Sequence, residues 1–204
     1  MGEIPLYFLS KYCIIKETRL NYLREVLKAG VLGTEPPAGQ KWNQWKHRSL
    51  GKSHCKECLM LDGCWFAADK TPQWPHHFYC HCVLEDIPYY DVATKSSAYC
   101  PYAKFDPYLF DPENAYGHGK GKMFESWGYS ITDSAWLQKE IQKQGLEKYI
   151  SGEYTLGKLN HDGQRISIRI EIPRKDRSDV VSFISGWMVY PEGYIQLTTP
   201  YGGK

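Results

Sequence analysis

Residues 165–172 read RISIRIEI, and this alternating pattern is the strongest structural signal in the C-terminal half of the chain. Because successive side chains of a β-strand point to opposite faces, the alternation predicts a strand with one face buried and the other in water. The apolar face consists of Ile166, Ile168, Ile170 and Ile172, and the polar face of Arg165, Ser167, Arg169 and Glu171.

The segments around this strand predict the rest of an antiparallel sheet. Residues 154–159 form its hairpin partner across the turn Asn160-His161-Asp162-Gly163, and residues 180–190 and 194–199 give two more strands. Helices are predicted at 118–128 and 133–149, and Gly145 leaves the end of the second helix open. Helices followed by an antiparallel meander indicate an α+β domain.

The N-terminal half lacks this regular alternation of apolar and polar residues. Residues 1–33 offer one helix, and GTEPPAGQ at 33–40 has the composition of a linker. Residues 70–100 are rich in proline and aromatic residues without a period, so they are predicted to be loop around a fixed point, and nothing before Cys55 resembles a strand. We therefore divide the chain into a helical arm with linker (1–46), a loop-rich segment that holds most of the cysteines (47–100) and an α+β domain (101–204).

Composition narrows the function classes. A net charge of +2 is too mild to indicate nucleic acid binding. The sequence contains no run of about 18 apolar residues, which a membrane span would need, so no membrane partner is expected. The first residues lack the basic leader and cleavage site of a signal peptide, so synthesis in the cytoplasm, where thiols stay reduced, is expected.

Two short motifs hold most of the thiols: CKEC at 55–58 and HHFYCHC at 76–82. Two ligand pairs separated by a loop are what a tetrahedral zinc ion needs. The favoured ligands are Cys55, Cys58, Cys80 and Cys82, and His77 in place of Cys80 is the main alternative. Four protein ligands close the site, and no nearby H-E pair indicates catalysis, so the zinc is expected to be structural.

Disulfide and redox interpretations fit less well. Seven cysteines is an odd number for a complete disulfide framework, and a redox C-x-x-C needs a strand that leads into a helix. The other cysteines, Cys13, Cys64 and Cys100, are predicted to be small buried hydrophobes. His76 and His81 are predicted to be loop or surface residues.

The cysteines belong to a longer ordered set: Arg48, the C-x2-C, Leu61-Asp62-Gly63, Phe66 and His77-x-x-Cys80-x-Cys82. This set, over about residues 45–84, resembles the C-terminal zinc-binding segment of the Mu F-like head morphogenesis proteins, the minor head proteins of tailed phages. The resemblance implies a virion protein that is made in the bacterial host and binds neighbouring capsid, portal or connector, or tail proteins. It does not imply catalysis.

A second resemblance covers residues 105–204. It rests on Asp111-Pro112, Gly117, Lys120, Phe124, Gly128 and a late Thr198-Thr199-Pro200. This layout resembles a small domain of bacterial polymorphic toxins and some phage head proteins, in the barnase–EndoU–colicin–RelE group of ribonuclease-like folds. The motif of this family includes a histidine, and this chain has Asn114 at that position.

The second resemblance implies an alternative function, a metal-independent ribonuclease or toxin carried by a phage particle. Such an enzyme needs a base for the 2′-hydroxyl proton and cations for the phosphorane. The candidates are His118 as base or acid, Lys120, Lys122 and Arg169 as cations, and Thr198 or Thr199 as a phosphate contact. The competing interpretation places the lysines and arginine on solvated faces of the helix and sheet.

Overall fold

The computed structural model describes residues 39–48, 55–111, 113 and 118–201, and the helix predicted within residues 1–33 lies outside them. The strands are β1 Trp42–Lys46, β2 Trp65–Ala67, β3 Val83–Ile87, β4 Ser97–Tyr99, β5 Thr155–Asn160, β6 Gly163–Pro173, β7 Val180–Val189 and β8 Tyr194–Thr199. The helices are α1 Lys56–Leu61, α2 Tyr89–Lys95, α3 His118–Glu125 and α4 Ser134–Ile150. The α+β class is confirmed. Within the described residues, no helix combines the length and the apolar character that a membrane crossing requires.

The larger sheet has five strands in the order β4-β8-β7-β6-β5. Its central ladder runs from Gln164 opposite Val189 to Pro173 opposite Val180. The alternating isoleucines of β6 are all buried, as predicted, and β5 to β8 form the predicted antiparallel meander. The sequence did not predict β4, which pairs with β8 in parallel from a distant part of the chain.

Helix α4 packs on this sheet and continues through Gly145 to Ile150. Leu137, Ile141 and Tyr149 on its inner side are fully buried. A Cβ at Gly145 would overlap the buried ring of Trp187, so the glycine permits a close approach of helix and sheet. Close packing of α4 on the sheet therefore explains why a glycine stands at position 145. In the sequence, this glycine left the C-terminal end of the helix undecided.

The smaller sheet has the order β2-β1-β3, and both pairings are antiparallel. Two sequence-based expectations were wrong here. A strand, β1, precedes Cys55, and the predicted loop of residues 70–100 contains β3, α2 and β4. These elements are short and are stabilised by partners distant in sequence. They are therefore too short to show a helical or strand periodicity of apolar residues.

The two sheets share one hydrophobic core. The Tyr149 hydroxyl of α4 donates to the Trp65 carbonyl of β2 at 2.7 Å, and its ring lies 5.3 Å from that of Trp42 on β1. Tyr154 accepts a hydrogen bond from the Ala67 N–H at 2.9 Å. The domain division at 46 and 100 stays a prediction, and β1 and β4 lie at its two boundaries.

Candidate metal centre

The cysteine-rich cluster forms where α1 meets the loop between β2 and β3. Cys55 precedes α1 and its carbonyl accepts the Leu59 N–H at 3.1 Å, so Cys55 and Cys58 lie one turn apart at the start of this helix. Across from them, the Cys80 N–H donates to the His77 carbonyl at 3.0 Å, which turns the loop toward α1. The structure thus brings all five predicted metal-ligand candidates together.

The donor atoms form two overlapping triads that share Cys58. One contains Cys55, Cys58 and His77, the other Cys58, Cys80 and Cys82, and within each triad the atoms lie within 4.8 Å of one another. Cys58 Sγ is 3.8 Å from Cys80 Sγ and 3.5 Å from His77 Nε2. Cys58 is only 1% exposed and is the hub of the cluster. This arrangement of thiol and imidazole groups is able to hold a metal ion.

The electrostatics of the thiols suit a cation. Burial raises the pKa of Cys58, and hydrogen bonds with the neighbouring thiols add to the rise. Burial opposes ionisation of Cys80, but backbone hydrogen bonds involving Cys82 and His76 outweigh it and lower the pKa. Because thiolates are the metal-binding form, a bound cation would supply the charge that the buried thiols need in order to ionise.

The Leu61-Asp62-Gly63 turn fixes α1 against β1. Asp62 Oδ1 accepts the His47 N–H at 2.8 Å, and the Gly63 N–H donates to the Trp45 carbonyl at 2.8 Å. Gly63 has φ 79° and packs against Pro191, so a side chain there would be strained. These contacts give the turn a structural role beside the cluster.

Sequence reasoning missed several groups around the cluster. Glu57 and His76 form a third donor group with Cys55, and Glu57 Oε2 lies 3.1 Å from Cys55 Sγ. His47 Nδ1 lies 3.6 Å from Cys82 Sγ. Glu57 stands inside the C-x2-C motif and was visible in the sequence, whereas the proximity of His47 depends on a strand that the sequence did not reveal.

Two of the remaining cysteines are buried outside the donor triads, as predicted. Cys64 and Cys100 are fully buried, and burial raises the pKa of Cys64 to about 12. Cys64 Sγ contacts the carbonyls of Met60 and Val189 at 3.5 and 3.8 Å. Cys13 lies outside the described residues.

The loop that carries the second ligand pair exposes large aromatic side chains. Phe78 is 92% and Tyr79 76% exposed, and their rings form an edge-to-face pair 5.0 Å apart. Trp74 is also exposed, and its indole donates to the Cys82 carbonyl at 3.0 Å. We call Trp74, Phe78 and Tyr79 the aromatic patch, and the Trp74 side chain links it to the backbone of the metal-ligand candidate Cys82.

The candidate ribonuclease residues are only partly assembled. Lys120 Nζ donates to Thr199 Oγ1 at 3.1 Å, so α3 and the end of β8 meet. Lys122 is exposed, and the exposed Arg169 donates instead to Ser182 Oγ at 3.0 Å. Thr198 lies at the end of β8, beside Thr199.

His118 is the first residue of α3. The side chain of His118 and all of Asn114 lie outside the described part of the chain.

Fold and site together define an α+β protein with a cysteine-rich centre able to hold a metal ion. Residues 92–204 match a family described as "Domain of unknown function (DUF6883)". Since this match covers more than half of the 204 residues, the chain belongs to the DUF6883 family. The cluster precedes the matched region. The comparisons with curated proteins and with solved structures returned no match.

Proposed function

We propose that this protein is a structural component of a tailed-phage particle in which a zinc-held segment binds neighbouring virion proteins. The observation that carries the proposal is the convergence of Cys and His donors from α1 and the 71–82 loop beside the exposed aromatic patch. The ordered residue set that resembles the Mu F-like head proteins supports it. The contacts of Asp62 and Gly63 explain why that set extends beyond the metal-ligand candidates.

The donor set favours zinc. A tetrahedral ion with Zn–S bonds of about 2.3 Å separates two sulfurs by about 3.8 Å, and a sulfur and an imidazole nitrogen by about 3.6 Å. The observed separations from Cys58 Sγ are 3.8 Å to Cys80 Sγ and 3.5 Å to His77 Nε2. Cys55 and Cys82 complete the favoured four-cysteine set, and His77 replaces Cys80 in the alternative.

Zinc in this position would supply a fixed crosslink. The chain's own contribution is to hold the 71–82 loop in register with α1 and β1, through the Trp74 bond to the Cys82 carbonyl and the turn at Asp62. The loop contains no helix or strand of its own, so the crosslink replaces the backbone ladder that stabilises other segments.

The aromatic patch is the proposed contact surface for another protein of the particle, from the capsid, the portal or connector, or the tail. Exposed aromatic side chains on a rigid support are typical anchors of protein interfaces, since they bury much apolar area at low entropic cost. The crosslink supplies the rigid support. The mild net charge of +2 favours a protein partner over nucleic acid.

The test is incorporation into particles. Tailed-phage particles are purified on a density gradient from cells that encode the chain, and the chain is quantified by mass spectrometry. We expect the wild type to co-sediment with particles and Phe78→Ala/Tyr79→Ala to be depleted from them. Tyr90→Ala is the matched control, because Tyr90 on α2 is 64% exposed and lies outside the patch. Wild-type protein that stays in the soluble fraction would contradict the proposal.

A metal-independent ribonuclease is the second candidate function. The observation that favours it is the 3.1 Å contact between Lys120 Nζ and Thr199 Oγ1, which joins a cation and a hydroxyl that the second resemblance implies at a phosphate site. The partly buried Lys120 is the most constrained of the candidate cations.

The second function is tested by incubating purified protein with RNA, with and without EDTA. If the protein is this enzyme, cleavage persists in EDTA and falls in Lys120→Ala, while Lys139→Ala, a change at an exposed lysine of α4, retains it. Absence of cleavage by the wild type rejects the enzymatic function and leaves the structural one standing.

A further inference from the structure

The register between β1 and β3 places one face of β1 against the cluster. Trp45 pairs with Leu84 and Lys46 with Val83, so the next position in the same register sets His47 opposite Cys82. Because side chains alternate along a strand, Trp45 and His47 point to the same face as Cys82 and Leu84. The 3.6 Å separation of His47 Nδ1 and Cys82 Sγ agrees with this register.

Trp45 occupies the diagonal position to Cys82 on that face, within reach of a long aromatic side chain. It is fully buried, and its indole N–H has no hydrogen-bond partner among the described residues. A buried donor without an acceptor is costly, so an indole in this position needs one. The Cys82 sulfur on the same face is the acceptor that this register offers, and a thiolate accepts a hydrogen bond more strongly than a neutral thiol.

His47 is not a member of either donor triad formed by the described residues, although it contacts Cys82. A ring N–H of His47 at this distance from the Cys82 sulfur can support the ligand without replacing it.

We propose that Trp45 and His47 are positioning residues of the metal centre that donate N–H groups to the Cys82 thiolate and so hold Cys82 as a ligand. This inference rests on the proposed metal function. Outer partners of metal ligands orient the ligand and tune its donor strength, and their loss typically lowers metal affinity by about 10- to 100-fold. Strand β1 thus has a second role besides pairing: its register sets the electrostatics of one ligand.

The experiment uses the full-length chain, stripped of metal and titrated with Co²⁺ and then with Zn²⁺ in competition with a chelator. Trp45→Phe retains the ring shape and deletes the N–H. We expect about tenfold weaker Zn²⁺ binding and a shift of the thiolate-to-cobalt charge-transfer band to lower energy, since an unbonded thiolate gives up an electron more readily. Trp42→Phe is the matched control, because that indole is equally buried and unpartnered but packs against Tyr149 and Tyr154.

His47→Ala gives a second, independent measurement if Trp45→Phe fails to fold. It is expected to shift the band in the same direction, whereas Cys82→Ser removes one thiolate's share of the band intensity. Wild-type affinity and band energy in both Trp45→Phe and His47→Ala would overturn the positioning role while leaving the metal function intact. Wild-type protein that binds neither Co²⁺ nor Zn²⁺ would overturn both.

Discussion

Replacement of the hub cysteine gives the sharpest test of how the metal centre stabilises its surroundings. Cys58 belongs to both donor triads, so Cys58→Ser is expected to abolish the crosslink whichever ligand set is correct. The crosslink between Cys58 and Cys80 joins positions 22 residues apart. Closing a loop of that length contributes about 3 kcal/mol in the chain-entropy description.

This contribution acts locally, because the closed loop and the central sheet are different parts of the core. In hydrogen exchange, we expect amides of α1 and of residues 71–82 to exchange roughly a hundredfold faster in Cys58→Ser, kept in the same zinc-containing buffer, than in the zinc-loaded wild type. The β6–β7 ladder is expected to keep its protection, since its ten residue pairs lie in the other sheet.

Cys64→Ala is the matched control for this experiment. It also removes a buried thiol, but one outside the donor triads, so the metal-dependent protection of residues 71–82 should remain. The reasoning is refuted if Cys58→Ser leaves the exchange of this loop unchanged, or if it speeds exchange equally in the loop and the β6–β7 ladder.

Three further predictions concern the fold. Gly145→Ala is expected to destabilise the protein by about 1–3 kcal/mol in chemical denaturation, because the added Cβ overlaps Trp187; Gly119→Ala, where nothing lies within 4 Å, should cost nothing. Tyr149→Phe leaves the buried Trp65 carbonyl without its donor and is expected to cost about 1–3 kcal/mol, read as a lower thermal midpoint; an unchanged midpoint would contradict the link between the sheets. The Arg174 guanidinium lowers the pKa of Asp176 from 3.8 to about 2, so this ion pair stabilises the fold above about pH 4 and the contribution is lost as the pH falls toward about 2. Asp176→Asn should therefore flatten the thermal midpoint against pH in that window, and an unaltered slope would count against the ion pair.

The C-terminal half was predictable because its elements carry their own periods. The alternation in β6 and the helical spacing of Leu137 and Ile141 appear in the sequence before any tertiary contact is known. Strand β4 carries no such signal. It has three residues and exists because β8 offers it a parallel partner.

The metal-ligand candidates were predictable from spacing, because chelation by Cys55 and Cys58, and again by Cys80 and Cys82, is local. Their surroundings were not predictable in this way. The β1–β3 register alone places Trp45 and His47 on the face of Cys82, and this pairing across about 37 residues has no signal in the sequence. Spacing in the sequence therefore reveals metal ligands that are close together in the chain. The residues that support those ligands from other elements are found only when the fold is known.

The measurement that tests the central claim most directly is the zinc content of the purified chain. Protein prepared under reducing conditions without chelator is analysed for metals and for protein concentration by amino-acid analysis. A cluster that holds a structural zinc ion predicts about one zinc per wild-type chain and a value near zero for Cys58→Ser. A value near zero for the folded wild type, with no uptake of added Zn²⁺, would contradict the account.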